Sequence, residues 1–203
     1  MSDLLKNGWC YLENILDKEE ISKVTDGILY GPSIIDGEYD SYPGILIDQP
    51  IVNDPVRGNV LRAYCPKEAV FLVKRMQPKM EQLIGEELIP TYWFSTVYFN
   101  RSRLHAHADR ESCEVSISLN LCGEYPWKFK LIDFHGKRQE IVTPPGSGIA
   151  YLGTEVLHWR SPLRHDDRFI QLFLHYVRKY GKYAHMCYDN TDGNNTIPYD
   201  LLR

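Results

Sequence analysis

The feature that most constrains the fold is an alternation of apolar and polar residues that begins after residue 114. In the run Val115–Leu121, valine, isoleucine and leucine alternate with serine and asparagine. Successive side chains of an extended strand point to opposite faces, so the run predicts a strand with one apolar and one polar face. The apolar face suits a core, and the polar face is typical of a strand that lines a wet cavity.

Short strand patterns recur from residue 90 onward. The runs Trp127–Ile132 and Gln139–Val142 flank His135–Lys137 and predict a hairpin. There is no regular alternation of strands with crossover helices, which a parallel sheet would require. The number and spacing of the strands therefore predict a mainly β fold with flanking helices (α+β), a two-sheet jelly roll or double-stranded β-helix.

The N-terminal part is expected to support the sheets from outside. Gly8–Ile15 has a strand pattern, and Asp17–Glu20 forms a capping box that starts a helix. Residues 30–55 are rich in Gly, Pro, Asp and Tyr and predict irregular loops. Residues 55–89 predict helix with an apolar stripe, kinked or split at Pro78.

Length and composition favour one domain over residues 1–203. The chain is 43% hydrophobic and 25% charged, as in globular proteins, and is long enough to bury a core. We expect an N-terminal support of helices and loops (1–89), a jelly-roll core (90–178) and a tail (179–203). The formal net charge of −4 makes a nucleic-acid-binding surface unlikely on physical grounds.

The sequence predicts a cytoplasmic protein. The N-terminus lacks the basic start and long apolar run of a signal peptide, and no apolar stretch approaches the length of a membrane span. Five scattered cysteines without Cys-x-x-Cys spacing are expected to be reduced thiols. Nothing in the sequence indicates an oligomeric state.

Three residues have the composition of a metal site. His107 and Asp109 are two apart in an extended segment, so their side chains are expected to share one face. His158 follows the strand-like run Ile149–Leu157, which begins after the turn Pro144–Gly148. Two histidines and one carboxylate on one side of a metal form the facial triad of non-haem Fe(II) oxygenases. We therefore expect His107, Asp109 and His158 to be the catalytic metal ligands.

Two further residues complete a recognisable pattern. Tyr98 lies nine residues before His107, and Arg168 lies ten residues after His158. Over residues 90–178 this pattern resembles the iron(II)/2-oxoglutarate-dependent oxygenases, especially their prolyl-4-hydroxylase-like branch. The resemblance implies that Tyr98 and Arg168 hold the distal carboxylate of 2-oxoglutarate while the triad holds Fe(II). Arginine stands here where the hydroxylases commonly have lysine.

The resemblance implies an enzyme, a dioxygenase and hydroxylase that couples decarboxylation of 2-oxoglutarate to oxidation of a substrate. The substrate is not readable from the sequence, and a peptidyl proline, a free amino acid and a small metabolite all remain open. Residues 30–55 and the tail beyond Val177 are expected to close over the metal site, because they are polar and aromatic without periodicity.

Two other functions remain open. His105, His107 and Glu111 match the start of a cupin metal motif, but Phe99 and Ser118 stand where that motif has glycines. A non-catalytic jelly-roll binding module is the third interpretation. In the oxygenase interpretation His105 lies at the cavity rim. Arg160 is expected to share a strand face with His158, where it either binds an anionic substrate or the co-substrate or forms a salt bridge with a nearby acidic residue.

Overall fold

The computed structural model describes residues 1–30, 51–123 and 125–189, and within these ranges eleven strands form two sheets. In chain order the strands are β1 (Trp9–Leu12), β2 (Val52–Asp54), β3 (Gly58–Tyr64), β4 (Leu88–Tyr98), β5 (Leu104–His107), β6 (Val115–Cys122), β7 (Phe129–Ile132), β8 (Arg138–Ile141), β9 (Gly148–Leu152), β10 (His158–Arg160) and β11 (Phe169–Arg178). The described helices are α1 (Asp3–Asn7), α2 (Lys18–Tyr30) and α3 (Val70–Ile84), with short 3₁₀ turns between elements.

The two sheets give the predicted jelly roll. The larger sheet has the order β1-β9-β6-β11-β4-β3-β2, and the smaller has β5-β10-β7-β8. All the pairings are antiparallel. The prediction of a mainly β fold with flanking helices is confirmed.

Strand β6 has the two faces that its sequence predicts. Val115, Ile117 and Leu119 are fully buried in the main hydrophobic core. On the other face the Ser118 hydroxyl donates to the side chain of Gln171 at 3.0 Å, so the polar residues are buried among polar partners from β11. This face looks into the space between the two sheets, which is where polar side chains can line a cavity.

The helices cover the opposite face of the larger sheet. Helix α2 starts with the predicted capping box, in which Asp17 and Glu20 each accept a hydrogen bond from the other's backbone amide. Tyr176 of β11 donates to the backbone oxygen of Val73 in α3 at 2.9 Å, which ties that helix to the sheet. Pro78 lies inside α3 but does not split it.

The prediction of helix over residues 55–89 was wrong at its start. Residues 58–64 form strand β3, whose Leu61 pairs with Val97 of β4. Pro55 lies in a turn instead of a first helical turn, because the Asp54 side chain accepts the backbone amides of Val56 and Arg57, both at 2.8 Å. The described part of residues 1–87 therefore adds strands β1, β2 and β3 to the larger sheet as well as supporting it.

The chain around His158 also departs from its predicted course. The strand-like run that was expected to end at His158 stops at Leu152, and His158 starts β10 in the other sheet. The chain then crosses back, so β10 and β11 lie in different sheets. The segment from His158 to Arg168 is therefore not a hairpin, since a hairpin requires two strands paired in one sheet.

Residues 30–55 and the tail beyond Val177, which were expected to close over the metal site, lie mostly outside the described residues. Residues 31–50 and 190–203 belong to that outside part. The described end of the tail forms a 3₁₀ turn whose Asp189 accepts hydrogen bonds from Tyr64 and from Arg110. Among the helices that the structure describes, none has the length and apolar character needed to cross a membrane.

We expect Ile117→Ala to lower the free energy of unfolding by about 2–5 kcal/mol, because Ile117 is fully buried between β9 and β11 and its removal leaves a cavity. Urea unfolding followed by circular dichroism measures this change. Val142→Ala is the matched control, since Val142 is 41% exposed, and it should stay within about 0.5 kcal/mol of wild type. Equal losses in both variants would contradict the packing described for β6.

Candidate metal centre

The pairing of β5 with β10 brings the two histidines together. His107 is the last residue of β5, His158 is the first of β10, and the two stand directly opposite each other in the antiparallel register. Asp109 follows β5, and its backbone amide donates to the oxygen of Gly153 at 2.8 Å. The loop after β9 therefore fixes the carboxylate beside the two imidazole rings.

Backbone carbonyl groups orient both imidazole rings. The Nδ1 atom of His107 lies 2.7 Å from the His105 oxygen, and Nδ1 of His158 lies 2.9 Å from the Val156 oxygen. A carbonyl oxygen only accepts, so each Nδ1 is protonated, and Nε2 is the ring nitrogen that binds a metal once it carries no proton. Both Nε2 atoms approach Oδ1 of Asp109, at 3.3 Å from His107 and 3.5 Å from His158.

This geometry fits an octahedral divalent metal. One ligand atom from each of His107, Asp109 and His158 lies within 4.8 Å of the others. Ligands at right angles around a metal, each about 2.1 Å from it, are roughly 3 Å apart, which is close to the two distances to Asp109. Two histidine nitrogens and one carboxylate on one face leave the opposite face open for other ligands.

The protonation of the three groups also suits a metal. Burial raises the pKa of Asp109, but the hydrogen bond with His107 and the nearby histidines outweigh burial and hold this pKa below its usual value. Burial lowers the pKa of His158. The hydrogen bond to Asp109 raises the pKa of His107, and a metal at Nε2 would replace that proton. An ionised carboxylate and neutral imidazoles are the forms that bind metals.

The second carboxylate oxygen of Asp109 faces a different set of side chains. Oδ2 is buried without a hydrogen bond in the described part of the chain. Cys113 and His175 lie within 4.8 Å of this carboxylate and could form a second metal set with it. Burial raises the pKa of the Cys113 thiol to about 12, which disfavours the thiolate form that binds a metal. The set with His107 and His158 is the better metal site.

Arg160 extends from the metal strand into the interior. It is 3% exposed and makes no ion pair with any described acidic residue. Its guanidinium group donates to the Trp127 backbone oxygen and, at 3.3 Å, to Oε1 of Gln171, and it lies 4.8 Å from the Trp127 ring centroid. Burial lowers its pKa to about 10. Arg160 is therefore a buried cation whose charge is met only by dipoles and aromatic rings.

Polar groups without partners surround this cation. Tyr98 is fully buried in a small cluster with Trp127 and Phe169, and its hydroxyl makes no hydrogen bond of normal geometry within the described residues. Burial raises the pKa of this hydroxyl, and the nearby guanidinium groups of Arg57 and Arg160 oppose the rise. The Nε2 atom of Gln171 is also buried without a partner there. These donors and Arg160 together have the chemistry of an anion site.

Solved structures of 2-oxoglutarate oxygenases share this fold. A Pseudomonas putida prolyl-4-hydroxylase is 14% identical, with a TM-score of 0.64, and the match covers 87% of this chain and 95% of that one. A 2OG-Fe(II) oxygenase family protein from Burkholderia pseudomallei is 11% identical, with a TM-score of 0.64 and coverage of 86% and 87%. This chain has the iron(II)/2-oxoglutarate oxygenase fold.

A third match was solved with ligands bound. HygX from Streptomyces hygroscopicus, with nickel, 2-oxoglutarate and hygromycin B, is 10% identical, with a TM-score of 0.65 and coverage of 87% and 85%. No protein-family model and no curated protein sequence matches this chain. The similarity to the oxygenases is therefore one of fold, and the function has to be argued from the residues of the site.

Arg168 is the chain neighbour of Phe169, which pairs with Tyr98 in the larger sheet, but Arg168 is not among the residues that line the cavity. Arg168 is exposed and precedes β11. The residues of β11 that line the cavity are Phe173 and His175. Arg168 is an odd number of residues from both, and an extended chain points such residues to opposite faces. His105 and Glu111 of the cupin motif are also exposed and lie outside the metal cluster.

The cavity beside the metal cluster contains residues that sequence reasoning missed. Its lining residues outside the cluster include Arg57, Tyr92, Phe94, Phe173 and His175. Alternation along β4 and β11 could have identified the aromatic ones, because Phe94 pairs with Phe173 across these strands. No local sequence pattern indicates Arg57, which reaches the cavity from the turn between β2 and β3, at one edge of the larger sheet.

We expect Gly153→Ala to weaken Mn(II) binding about tenfold or more, because a Cβ atom there would overlap the Cys113 backbone oxygen and lie 2.6 Å from Oδ2 of Asp109, so the backbone and the carboxylate would both have to shift. Calorimetric titration with Mn(II) measures this effect. Thr154→Ala, one residue further along the same loop, is the control and should bind as wild type does. Unchanged Mn(II) affinity in a folded Gly153→Ala protein would show that the metal does not use Asp109.

Proposed function

We propose that this protein is an Fe(II)- and 2-oxoglutarate-dependent oxygenase that acts as a hydroxylase on a small-molecule or peptidyl substrate. The observation that carries the proposal is the convergence of two imidazole Nε2 atoms, from His107 and His158, on the carboxylate of Asp109. This convergence occurs in the fold of the 2-oxoglutarate oxygenases. A reducing cytoplasmic location is part of the proposal, because none of the five cysteines forms a disulfide.

In this proposal the chain supplies three metal ligands and leaves the opposite side of the metal open. Fe(II) bound there would supply oxygen activation coupled to oxidative decarboxylation of 2-oxoglutarate, ending in oxidation of a substrate C–H bond. The carbonyls of His105 and Val156 keep the imidazole rings in the tautomer that binds a metal. The ring of His158 also packs against Phe129 and Tyr151, which limits its rotation.

We assign the distal carboxylate of 2-oxoglutarate to Arg160 and Tyr98. Arg160 follows His158 by two residues on β10, so the two share a face and are roughly 7 Å apart along the strand. A five-carbon dicarboxylate that binds the metal at one end has a suitable length to reach this distance. A buried cation without an acidic partner is costly, and a bound carboxylate would pair with it and with the free hydroxyl of Tyr98.

This assignment replaces Arg168, the residue that the family resemblance implies. The replacement rests on burial and charge, since Arg168 is exposed and Arg160 is buried. Water already solvates the guanidinium group of Arg168, so an ion pair there would add little affinity. The planar fork of Arg160 can make two parallel hydrogen bonds to a carboxylate in a site from which water is excluded.

The metal assignment predicts that Asp109→Ala weakens Fe(II) or Mn(II) binding at least roughly a hundredfold, because it removes the only carboxylate of the triad. His105→Ala should bind metal as wild type does. Calorimetry under nitrogen, with folding checked by circular dichroism, makes the comparison. A large loss in His105→Ala together with a small loss in Asp109→Ala would favour the cupin ligand set.

The co-substrate assignment predicts that Arg160→Met raises the apparent Kd for 2-oxoglutarate by roughly a hundredfold, whereas Arg168→Met leaves it unchanged. Methionine keeps the volume and the contacts with the aromatic rings but removes the charge. Titration of 2-oxoglutarate into Mn(II)-loaded protein gives both values.

Thermal unfolding supplies a second readout for the same pair of variants. 2-Oxoglutarate should raise the Tm of wild type and of Arg168→Met, because a ligand that binds only the folded state stabilises it. The Tm of Arg160→Met should not respond. Loss of the response in Arg168→Met alone would restore Arg168 as the carboxylate ligand.

A further inference from the structure

A second arginine, Arg57, lines the cavity beside the metal cluster. Arg57 lies in the turn between β2 and β3, and its backbone oxygen accepts the amide of Arg103 at 2.8 Å. The neighbouring Val56 oxygen accepts the amide of His105 at 3.1 Å. These bonds fasten the turn to β5, the strand that ends with His107. The Arg57 side chain lines the same cavity as the metal ligands.

The hydrogen-bonding capacity of Arg57 is only partly used. Its one ion-pair partner among the described residues is Asp54, at a long 3.5 Å, and the same carboxylate oxygen lies 3.3 Å from Arg62. The other oxygen of Asp54 is occupied by two backbone amides. The Nε atom of Arg57 is buried and has no hydrogen-bond partner within the described ranges. A buried donor without an acceptor is costly, so this group suits an acceptor that arrives from outside.

Aromatic rings form the wall next to this arginine. The guanidinium carbon of Arg57 lies 5.5 Å from the ring centroid of Phe94. The Phe94 and Phe173 centroids are 6.5 Å apart, and Tyr92 packs against His175 at 4.5 Å. The wall therefore offers flat apolar surface beside a hydrogen-bond donor of fixed charge.

The charges of the site indicate what kind of ligand Arg57 can bind. A divalent metal on Asp109 leaves one net positive charge, and Arg160 adds a second. The two negative charges of 2-oxoglutarate balance both. Among the described lining residues, Asp109 is the one acidic residue and Arg57 the one lysine or arginine. A substrate that enters this cavity therefore meets the guanidinium group of Arg57, whose charge the co-substrate does not neutralise and Asp54 pairs only at a long 3.5 Å.

We propose that Arg57 is a specificity-determining residue and that the substrate is an organic anion, a carboxylate with a planar or apolar body. The carboxylate accepts from the guanidinium group of Arg57, and the body packs on Phe94 and Phe173. This inference rests on the proposed oxygenase function, because it places the substrate on the open side of the metal.

The test uses a matched pair of probes, 3-phenylpropionate and its neutral amide, 3-phenylpropionamide. Each is titrated by calorimetry into protein loaded with Mn(II) and 2-oxoglutarate, and the binding of those two components is measured first. Wild type should bind the carboxylate at least about tenfold tighter than the amide. Arg57→Gln should lose this preference, and Arg57→Lys should keep part of it, since lysine retains the charge without the fork.

The control variant is Arg103→Gln. Arg103 is exposed and lies beside the Arg57 turn, so its loss removes a nearby positive charge without changing the cavity. It should keep the wild-type preference for the carboxylate. A preference lost equally in Arg103→Gln and Arg57→Gln would be a general charge effect, and the proposal would fall.

Other outcomes also overturn the proposal. These are equal binding of the two probes by wild type, no saturable binding of the carboxylate, and a preference that survives in Arg57→Gln. Loss of 2-oxoglutarate binding in Arg57→Gln would make Arg57 a co-substrate ligand instead.

Failure of wild type to bind Mn(II) or 2-oxoglutarate would refute the proposed function before any probe is added. The probes are then titrated into the protein alone, because Arg57 and its aromatic wall are present without a metal. The same preference and the same loss in Arg57→Gln are expected there, and their absence overturns the anion site.

Discussion

The metal centre depends on the antiparallel pairing of β5 with β10. Residues directly opposite each other in such a pair have Cβ atoms about 4.5–5.5 Å apart, and His107 stands opposite His158. A shift of one residue would turn one histidine to the other face of the sheet. The carboxylate is held separately, through the bond from the Asp109 amide to Gly153. Strand register and one loop contact together place three ligand atoms within coordination distance.

A buried cation with unused hydrogen-bond donors around it is the second determinant of the site. Arg160 is stabilised by aromatic faces and by oxygen dipoles, and the described structure places no acidic side chain in ion-pair contact with it. Such an arrangement makes the folded protein less stable than it would be with an apolar side chain at this position. The same arrangement prepares the site for an anion, because the dipoles are already oriented and water is already excluded. Arg160 therefore lowers the stability of the folded protein and favours the binding of an anion at the same place.

The parts of the site that could be predicted from the sequence are local. His107 and Asp109 are two residues apart, so their common face follows from strand geometry alone. His158 was expected at the end of the run Ile149–Leu157, whereas the structure brings it to the other two as the first residue of β10 in the smaller sheet. Arg160 and Arg168 could not be ranked, because burial depends on which sheet each segment joins. Arg57 had no local signal at all, since its turn meets β5 only in the folded chain.

The amino-acid sequence by itself determined the fold class, the two-faced strand β6 and the residue types of the metal centre. These properties depend on short-range periodicity and on side-chain chemistry, which are present in any local segment. The tertiary structure alone decided that residues 58–64 form a strand, that the chain crosses between sheets after Leu152, and that Arg57 lines the cavity. Long-range strand pairing made those choices, because it is pairing with distant strands that decides which face of a segment is buried.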